Sequence, residues 1–93
     1  MAEKHVERYF KKRVEEKGGL CLKFVSPGRR GVADRIAISA IGFTYYVELK
    51  YGKSGKFSPA QIVFRKDLAS RNVDVYNLFT KEEVDRFMDE IYL

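Results

Sequence analysis

A closely spaced pair of strand-like segments limits what this chain can fold into. Residues 34–39 and 43–50 are rich in β-branched and aromatic side chains, and only three residues, centred on Ile41, separate them. Such composition favours strands, and so short a connection favours a β-hairpin. With the turn centred on Ile41, directly opposed residues have numbers that sum to 82, as those of Asp34 and Glu48 do. The hairpin therefore predicts two carboxylates as cross-strand neighbours.

Helical patterns lie on both sides of the hairpin. In residues 2–17, apolar side chains recur at four-residue spacing from Val6 to Val14, which predicts an amphipathic helix that ends at a Gly-Gly pair. Ser58 and Pro59 form a typical helix start, with Ser at the cap and Pro in the first helical position. The remaining predicted elements are a strand over 20–25, a strand over 73–79, and a last helix opened by a capping box of Thr80 and Glu83.

These elements give the order αβββαβα, which predicts an α/β fold with a mixed central sheet flanked by helices. A chain of 93 residues supports one hydrophobic core, so residues 1–93 are predicted to form a single domain. The amino terminus is charged, and no apolar run is long enough to cross a membrane. The lone Cys21 has no internal disulfide partner, which favours a reducing, cytoplasmic location.

Positive charge is concentrated in the first three quarters of the chain. The formal net charge is +5, residues 1–72 hold 16 basic and 7 acidic side chains, and residues 73–93 hold 2 basic and 6 acidic ones. This distribution favours a polyanionic partner for the first part, with the last helix facing away from it or meeting a protein neighbour. The alternative is ordinary solvated helix charge.

The opposed carboxylates of the hairpin indicate a metal site. Like charges on adjacent strands destabilise a sheet by up to about 1 kcal/mol, and a shared cation removes the repulsion. Carboxylate oxygens favour Mg²⁺ or Mn²⁺. The two-residue period of a strand puts Lys50 on the same face as Glu48, where its ammonium could orient a water or stabilise charge on a phosphate. The alternative is that Asp34 is a surface turn residue and that Glu48 and Lys50 are an exposed polar pair.

Three segments carry a resemblance to a known family. They are Gly-Val-Ala-Asp-Arg-Ile at 31–36, Val-Glu-Leu-Lys at 47–50 and Ser-Pro-Ala-Gln at 58–61. In this order they resemble the PD-(D/E)XK nuclease superfamily, most closely its VRR-NUC family, which includes stand-alone phage proteins. Glu7 also resembles the first-helix glutamate of the archaeal Holliday junction resolvases. Ala33 departs from the pattern, because that motif usually carries proline before the aspartate.

The resemblance implies a restriction-endonuclease-like core and a role for each matching residue of the hairpin. It implies that Asp34 and Glu48 bind Mg²⁺ or Mn²⁺, with the main-chain carbonyl of Leu49 as a third protein oxygen. Lys50 would be the water-orienting base or an electrostatic group beside the metal.

Two helical residues are implied to complete the catalytic set. Gln61, in the first turn of the second helix, would help to position Lys50 or the nucleophilic water. Glu7 would reach the outer shell of the metal from the first helix. The alternative for both is an ordinary helix-surface residue.

The predicted function is a metal-dependent, structure-selective DNA endonuclease, such as one that resolves Holliday junctions, because so small a chain has no added sequence-reading domain. Two alternatives stay open: a sequence-specific nuclease of restriction or mobile-element type, and a non-catalytic nucleic-acid-binding domain. If the protein is phage-encoded, its location is the host cytoplasm. The basic residues predicted to grip branched DNA, on glycine-flanked loops, are Arg29, Arg30, Lys53 and Lys56.

A homodimer is predicted from apolar crowding at the carboxyl terminus, since a small core cannot bury every such side chain. Two-fold pairing would also place two active sites on opposite strands of a junction. The alternative is that the last helix simply packs on its own sheet. The crowded residues are Phe79, Phe87, Met88, Ile91, Tyr92 and Leu93.

Overall fold

The structure is a computed structural model that describes residues 2–50 and 56–93. Its elements follow the predicted order αβββαβα. No helix in those ranges is both long and apolar enough to cross a membrane. The elements are α1 (Ala2–Glu16), β1 (Leu20–Lys23), β2 (Arg35–Ile38), β3 (Thr44–Glu48), α2 (Pro59–Ala69), β4 (Val75–Asn77) and α3 (Lys81–Glu90).

The four strands form one mixed sheet in the order β1-β2-β3-β4. β1, β2 and β3 are antiparallel neighbours, and β4 lies parallel to β3. Arg35 pairs with Val47 and Ile38 pairs with Thr44, so the predicted hairpin register is confirmed. The predicted α/β class with a mixed central sheet is confirmed as well.

The strands of the hairpin are shorter than the predicted segments 34–39 and 43–50. At the open end of the hairpin, the Asp34 side chain takes the place of a backbone carbonyl as the hydrogen-bond acceptor. Oδ2 of Asp34 accepts hydrogen bonds from the backbone N–H groups of Leu49 (2.8 Å) and Lys50 (3.0 Å). These two residues therefore leave the regular strand while their N–H groups stay satisfied.

Helices α1 and α3 cover one face of the sheet. On that face the ring of Tyr45 lies with its centroid 5.4 Å from that of Phe87 and 5.3 Å from that of Tyr92. The apolar stripe of α1 joins the same core. The cluster includes Val6, Phe10, Val14, Cys21, Ala37, Val47, Leu49, Val84 and Met88.

Helix α2 packs on the opposite face. Tyr46 follows Tyr45 in β3 and so points the other way. The ring of Phe24 lies 5.9 Å from that of Tyr46 and 6.1 Å from that of Phe64 in α2, measured between centroids. The β1 edge of the sheet is less covered, since Leu20 and Leu22 are 57% and 45% exposed. An apolar surface therefore remains at this edge.

Of the apolar residues crowded at the carboxyl terminus, Ile91 and Leu93 are 39% and 66% exposed, whereas most of the others are buried. Phe87, Met88 and Tyr92 are buried in the protein's own core, because α3 packs against both α1 and the sheet. The phenol oxygen of Tyr45 also accepts a hydrogen bond of 3.0 Å from the backbone N–H of Leu93, which ties the carboxyl terminus to β3. The alternative weighed above, that the last helix packs on its own sheet, is the arrangement found.

Acidic residues of α3 meet α1 and not the face that α2 covers. Arg13 of α1 forms ion pairs with Asp85 and with Asp89, the latter at 3.7 Å. Tyr9 donates a hydrogen bond of 2.5 Å to Asp85. The uneven charge distribution is thus partly neutralised between two helices, on the side of the sheet away from α2.

Candidate active site

Asp34 stands at the end of the sheet where β3 terminates. Its carboxylate is fixed by the N–H groups of Leu49 and Lys50, and its backbone carbonyl accepts a hydrogen bond of 3.0 Å from the N–H of Phe24. One residue therefore ties β1, β2 and the end of β3 together. The orientation of the carboxylate is set by the backbone, so the side chain is presented in one position.

Glu48 is the last residue of β3 and is only 2% exposed. Burial raises its pKa, and the neighbouring Asp34 carboxylate raises it further, from 4.5 to about 7, while Arg65 acts in the opposite direction. A buried carboxyl group beside a second carboxylate is a place where added positive charge is strongly favoured. The fold thus brings together the two acids that the register predicted as neighbours.

Gln61 joins α2 to this pair through both ends of its amide. Its Oε1 accepts a hydrogen bond of 2.7 Å from the N–H of Ser58 in the capping box, and its Nε2 donates to Oε2 of Glu48 over 3.3 Å. Gly31 allows this approach. Its φ is +79°, and a Cβ there would lie 2.3 Å from the carbonyl carbon of Ala60. The first turn of α2 therefore rests directly on the loop that leads to Asp34.

Glu7 reaches the same end of the sheet from α1. Its carboxylate forms ion pairs with the ammonium of Lys50 at 3.2 Å and with the guanidinium of Arg35 at 3.7 Å. The Glu7 side chain is 16% exposed, so these pairs are sheltered from solvent more than ordinary surface pairs are. Glu7 is thus placed to hold the ammonium of Lys50.

The donor set at this site fits a hard divalent cation. Asp34 and Glu48 offer carboxylate oxygens, which are hard donors. Within residues 2–50 and 56–93, no group of three His, Cys, Asp or Glu side chains could enclose a metal ion. The set suits an ion that keeps several waters, as Mg²⁺ does, and does not suit zinc.

The basic residues predicted to bind nucleic acid differ in their surroundings. Arg29 forms an ion pair with Asp67 of α2, and its guanidinium lies over the ring of Phe64. Arg30 and Lys56 are exposed. Lys53 lies outside the residues that the structure describes.

Sequence reasoning missed one charged neighbour of the site. Arg65 of α2 is partly buried and interacts electrostatically with both Glu48 and Asp34. The signal that could have found it is its position four residues after Gln61, because residues four apart share one face of a helix.

One known protein is similar to this chain over nearly its whole length, and another is similar over about half of it. No family model matches the sequence. A solved structure described as a VRR_NUC domain superposes with a TM-score of 0.87 and 29% sequence identity, covering 99% of each chain. "Putative nuclease p44" of Acyrthosiphon pisum secondary endosymbiont phage 1 is 44% identical over 48 residues. That alignment covers 52% of this chain and 52% of the phage protein, so the match spans about half of each. The chain thus has the fold of a VRR_NUC domain over nearly its whole length, and about half of its sequence is similar to that of a putative phage nuclease.

Proposed function

We propose that this protein is a metal-dependent DNA endonuclease that acts on branched DNA. The observation that supports it most strongly is the buried Glu48 facing Asp34, with Lys50 and Gln61 at the same end of the sheet. A cluster of this kind lowers the stability of the fold and is typical of a functional site. Hydrolysis of a phosphodiester is a reaction that needs such a cluster.

Asp34 and Glu48 are the residues that would hold Mg²⁺ or Mn²⁺, together with the carbonyl of Leu49. When bound, the ion supplies positive charge to the phosphate oxygens on which negative charge develops. The orientation of the Asp34 carboxylate is fixed because it accepts hydrogen bonds from the N–H groups of Leu49 and Lys50.

Lys50 and its partners orient the attacking water. An ammonium carries three donor hydrogens, so Lys50 can contact Glu7 and also donate to a water or a phosphate oxygen. Glu7 acts as its anchor from α1. Gln61 fixes the Glu48 carboxylate, because its own oxygen is held by the helix cap. Each group therefore enters the reaction already positioned, which lowers the barrier.

Charge favours DNA as the substrate. The first 72 residues carry the excess of basic side chains, and Arg30 and Lys56 are exposed. Such contacts read the phosphate backbone and not the base sequence. Contacts of this kind suit recognition of DNA shape, and a four-way junction is the substrate that we favour. Its place of action is the cytoplasm, which is that of the host if the protein is phage-encoded.

The test is cleavage of labelled DNA of several shapes. Four-way junction, fork, flap and linear duplex are each incubated with Mg²⁺, Mn²⁺ or EDTA. We expect cleavage of a branched substrate with either cation and none in EDTA. Asp34→Asn, Glu48→Gln and Lys50→Ala should each abolish cleavage while binding to the junction persists. Full activity of Glu48→Gln with Mg²⁺ would contradict the assignment.

The same assay separates the alternatives. Cleavage of linear duplex at one defined sequence would favour a restriction or mobile-element nuclease. Binding without cleavage under every metal condition would favour a non-catalytic nucleic-acid-binding domain.

A further inference from the structure

Arg65 is a charged group at the site to which the proposed chemistry above gives no task. It lies one helical turn beyond Gln61, on the face of α2 from which Gln61 reaches Glu48 over 3.3 Å. Its guanidinium interacts electrostatically with Glu48 and with Asp34. It is therefore a cation close to the paired carboxylates.

An aromatic ring holds this guanidinium in place. Cζ of Arg65 lies 4.0 Å from the ring centroid of Phe57, and the Phe57 ring lies 6.4 Å from that of Phe79. A guanidinium stacked on a ring keeps the hydrogen-bonding edge of its plane available for an acceptor. Phe57 directly precedes the helix cap Ser58, so the stack is anchored to the start of α2. The side chain is thus presented in a limited set of positions.

The partly buried position of Arg65 also needs an explanation. Burial disfavours the charged form, and the position is otherwise suited to an apolar residue that would pack against Phe57. The carboxylates offset this cost while the site is without substrate. Because a guanidinium binds carboxylates and phosphates with the same planar geometry, the group that neutralises the acids can also bind a phosphodiester there.

Building on the nuclease function proposed above, we propose that Arg65 is a further catalytic residue, whose guanidinium donates to the non-bridging oxygens of the scissile phosphate. Its hydrogen bonds strengthen as negative charge accumulates on those oxygens in the transition state. This task differs from the one proposed for Arg29, Arg30 and Lys56, which lie outside regular helices and strands and would contact the DNA backbone only.

The test compares three variants. Arg65→Met removes the charge and keeps the packing on Phe57, Arg65→Lys keeps the charge without the planar fork, and Lys66→Met removes an exposed charge from the next position of α2. Circular dichroism checks the fold of each. Single-turnover cleavage of saturating junction DNA with Mg²⁺ gives the rate, and titrations in EDTA at several salt concentrations give the number of phosphate contacts.

We expect Arg65→Met to lower the cleavage rate about 100-fold, the size of effect of one transition-state donor. Arg65→Lys should recover only part of the loss, since a point charge lacks the two-pronged contact. Millimolar guanidinium chloride should partly restore Arg65→Met, whereas equal sodium chloride should not. The dependence of log K on log salt should flatten by about 0.9 in Arg65→Met and stay unchanged in Lys66→Met.

Cleavage by Arg65→Met within twofold of the wild-type rate, with an unchanged salt dependence, would overturn the assignment and leave the nuclease function standing. If the wild-type protein cleaves no DNA while Arg65→Met still flattens the salt dependence, the phosphate contact stands and the nuclease proposal fails. If Arg65→Met does not fold, Arg65→Lys and Arg65→Gln, with and without guanidinium, supply the same comparison.

Discussion

At the scale of single residues, the burial of the Glu48 carboxyl group is costly. Its pKa is raised from 4.5 to about 7, so between these values the folded protein binds more protons than the unfolded chain does. The free energy of unfolding therefore falls as pH rises through this window. The penalty is absent below pH 4.5 and complete above pH 7, where it amounts to at most about 3 kcal/mol.

Glu48→Gln should stabilise the metal-free protein at pH 8 by about 1–3 kcal/mol and change little at pH 4, because glutamine has no charge to bury. Thermal unfolding in EDTA at the two pH values measures the effect. Glu15→Gln, at an exposed position of α1, is the control and should show no such difference. A loss of stability at pH 8 on Glu48→Gln would mean that the buried charge is better compensated than we infer.

For single residues, the sequence predicted that Asp34 and Glu48 are neighbours, but it did not predict how deeply Glu48 is buried. The pairing of Asp34 with Glu48 followed from the hairpin register, which depends only on chain spacing. The burial of Glu48 did not, because it depends on where α2 rests. The contact of Lys50 with Glu7 joins distant segments, whereas Arg65 could have been inferred only by its position one helical turn after Gln61.

At the scale of elements, the position of α2 depends on one glycine. Gly31 has φ +79°, and its Cα approaches the backbone of Ala60 so closely that a methyl group there would overlap it. Gly31→Ala should therefore destabilise the protein by about 1–3 kcal/mol and lower cleavage, because Gln61 is displaced from Glu48. Gly28→Ala is a matched control in the same loop, since a Cβ at Gly28 meets no atom within 4 Å.

Chemical unfolding of these two glycine variants measures the difference. We expect Gly28→Ala to stay within about 0.5 kcal/mol of the wild type. Equal stability of both variants would show that the loop and α2 move apart without cost.

The loops that border α2 and β1 should carry the grip on DNA. Replacing both Arg30 and Lys56 by Gln should weaken binding to all sequences about equally and flatten the dependence of log K on log salt by about 0.9 for each lost contact. Arg86→Gln on α3, which covers the other face of the sheet, is the control. Fluorescence titration of a labelled junction checks this, and an unchanged salt dependence would place the DNA on another surface.

Element types followed readily from sequence, whereas element ends did not. The caps of α2 and α3 lie where Ser58 and Thr80 indicated, because capping is a local interaction. β3 ends earlier than its apolar pattern suggested, since the Asp34 side chain takes over the N–H groups of Leu49 and Lys50. A bond between residues 15 apart in the chain leaves no local trace.

For the whole molecule, we still propose a homodimer. We now place its interface at the β1 edge of the sheet and not on α3. β1 is an outer strand of the sheet. It exposes Leu20 and Leu22 at an edge of the sheet that α2 does not cover. Two such edges can pair about a two-fold axis and bury these side chains. The excess of apolar residues was visible in the sequence, but which of them the core would take depends on the packing of α3.

Leu22→Glu should convert a dimer to a monomer near 10.8 kDa without loss of the fold, because it places a charge in the shared apolar surface. Ile41→Glu, at a turn residue that is 68% exposed, should leave the dimer intact. Light scattering at micromolar concentration gives the mass, and circular dichroism checks the fold. A wild-type mass near 10.8 kDa would reject the dimer.

The hydrogen bonds from Leu49 and Lys50 to Asp34 order the backbone of this site when the chain folds. Binding of a ligand therefore carries little further entropic cost for ordering that backbone. Free and loaded protein should therefore share one backbone from Asp34 to Lys50, and capture of a cation should require only adjustment of side chains and loss of water. The rate of loading would then follow the exchange of water on the ion, with no slower step set by the protein. A destabilised fold would, for the same reason, lose its affinity for the ion and its stability together.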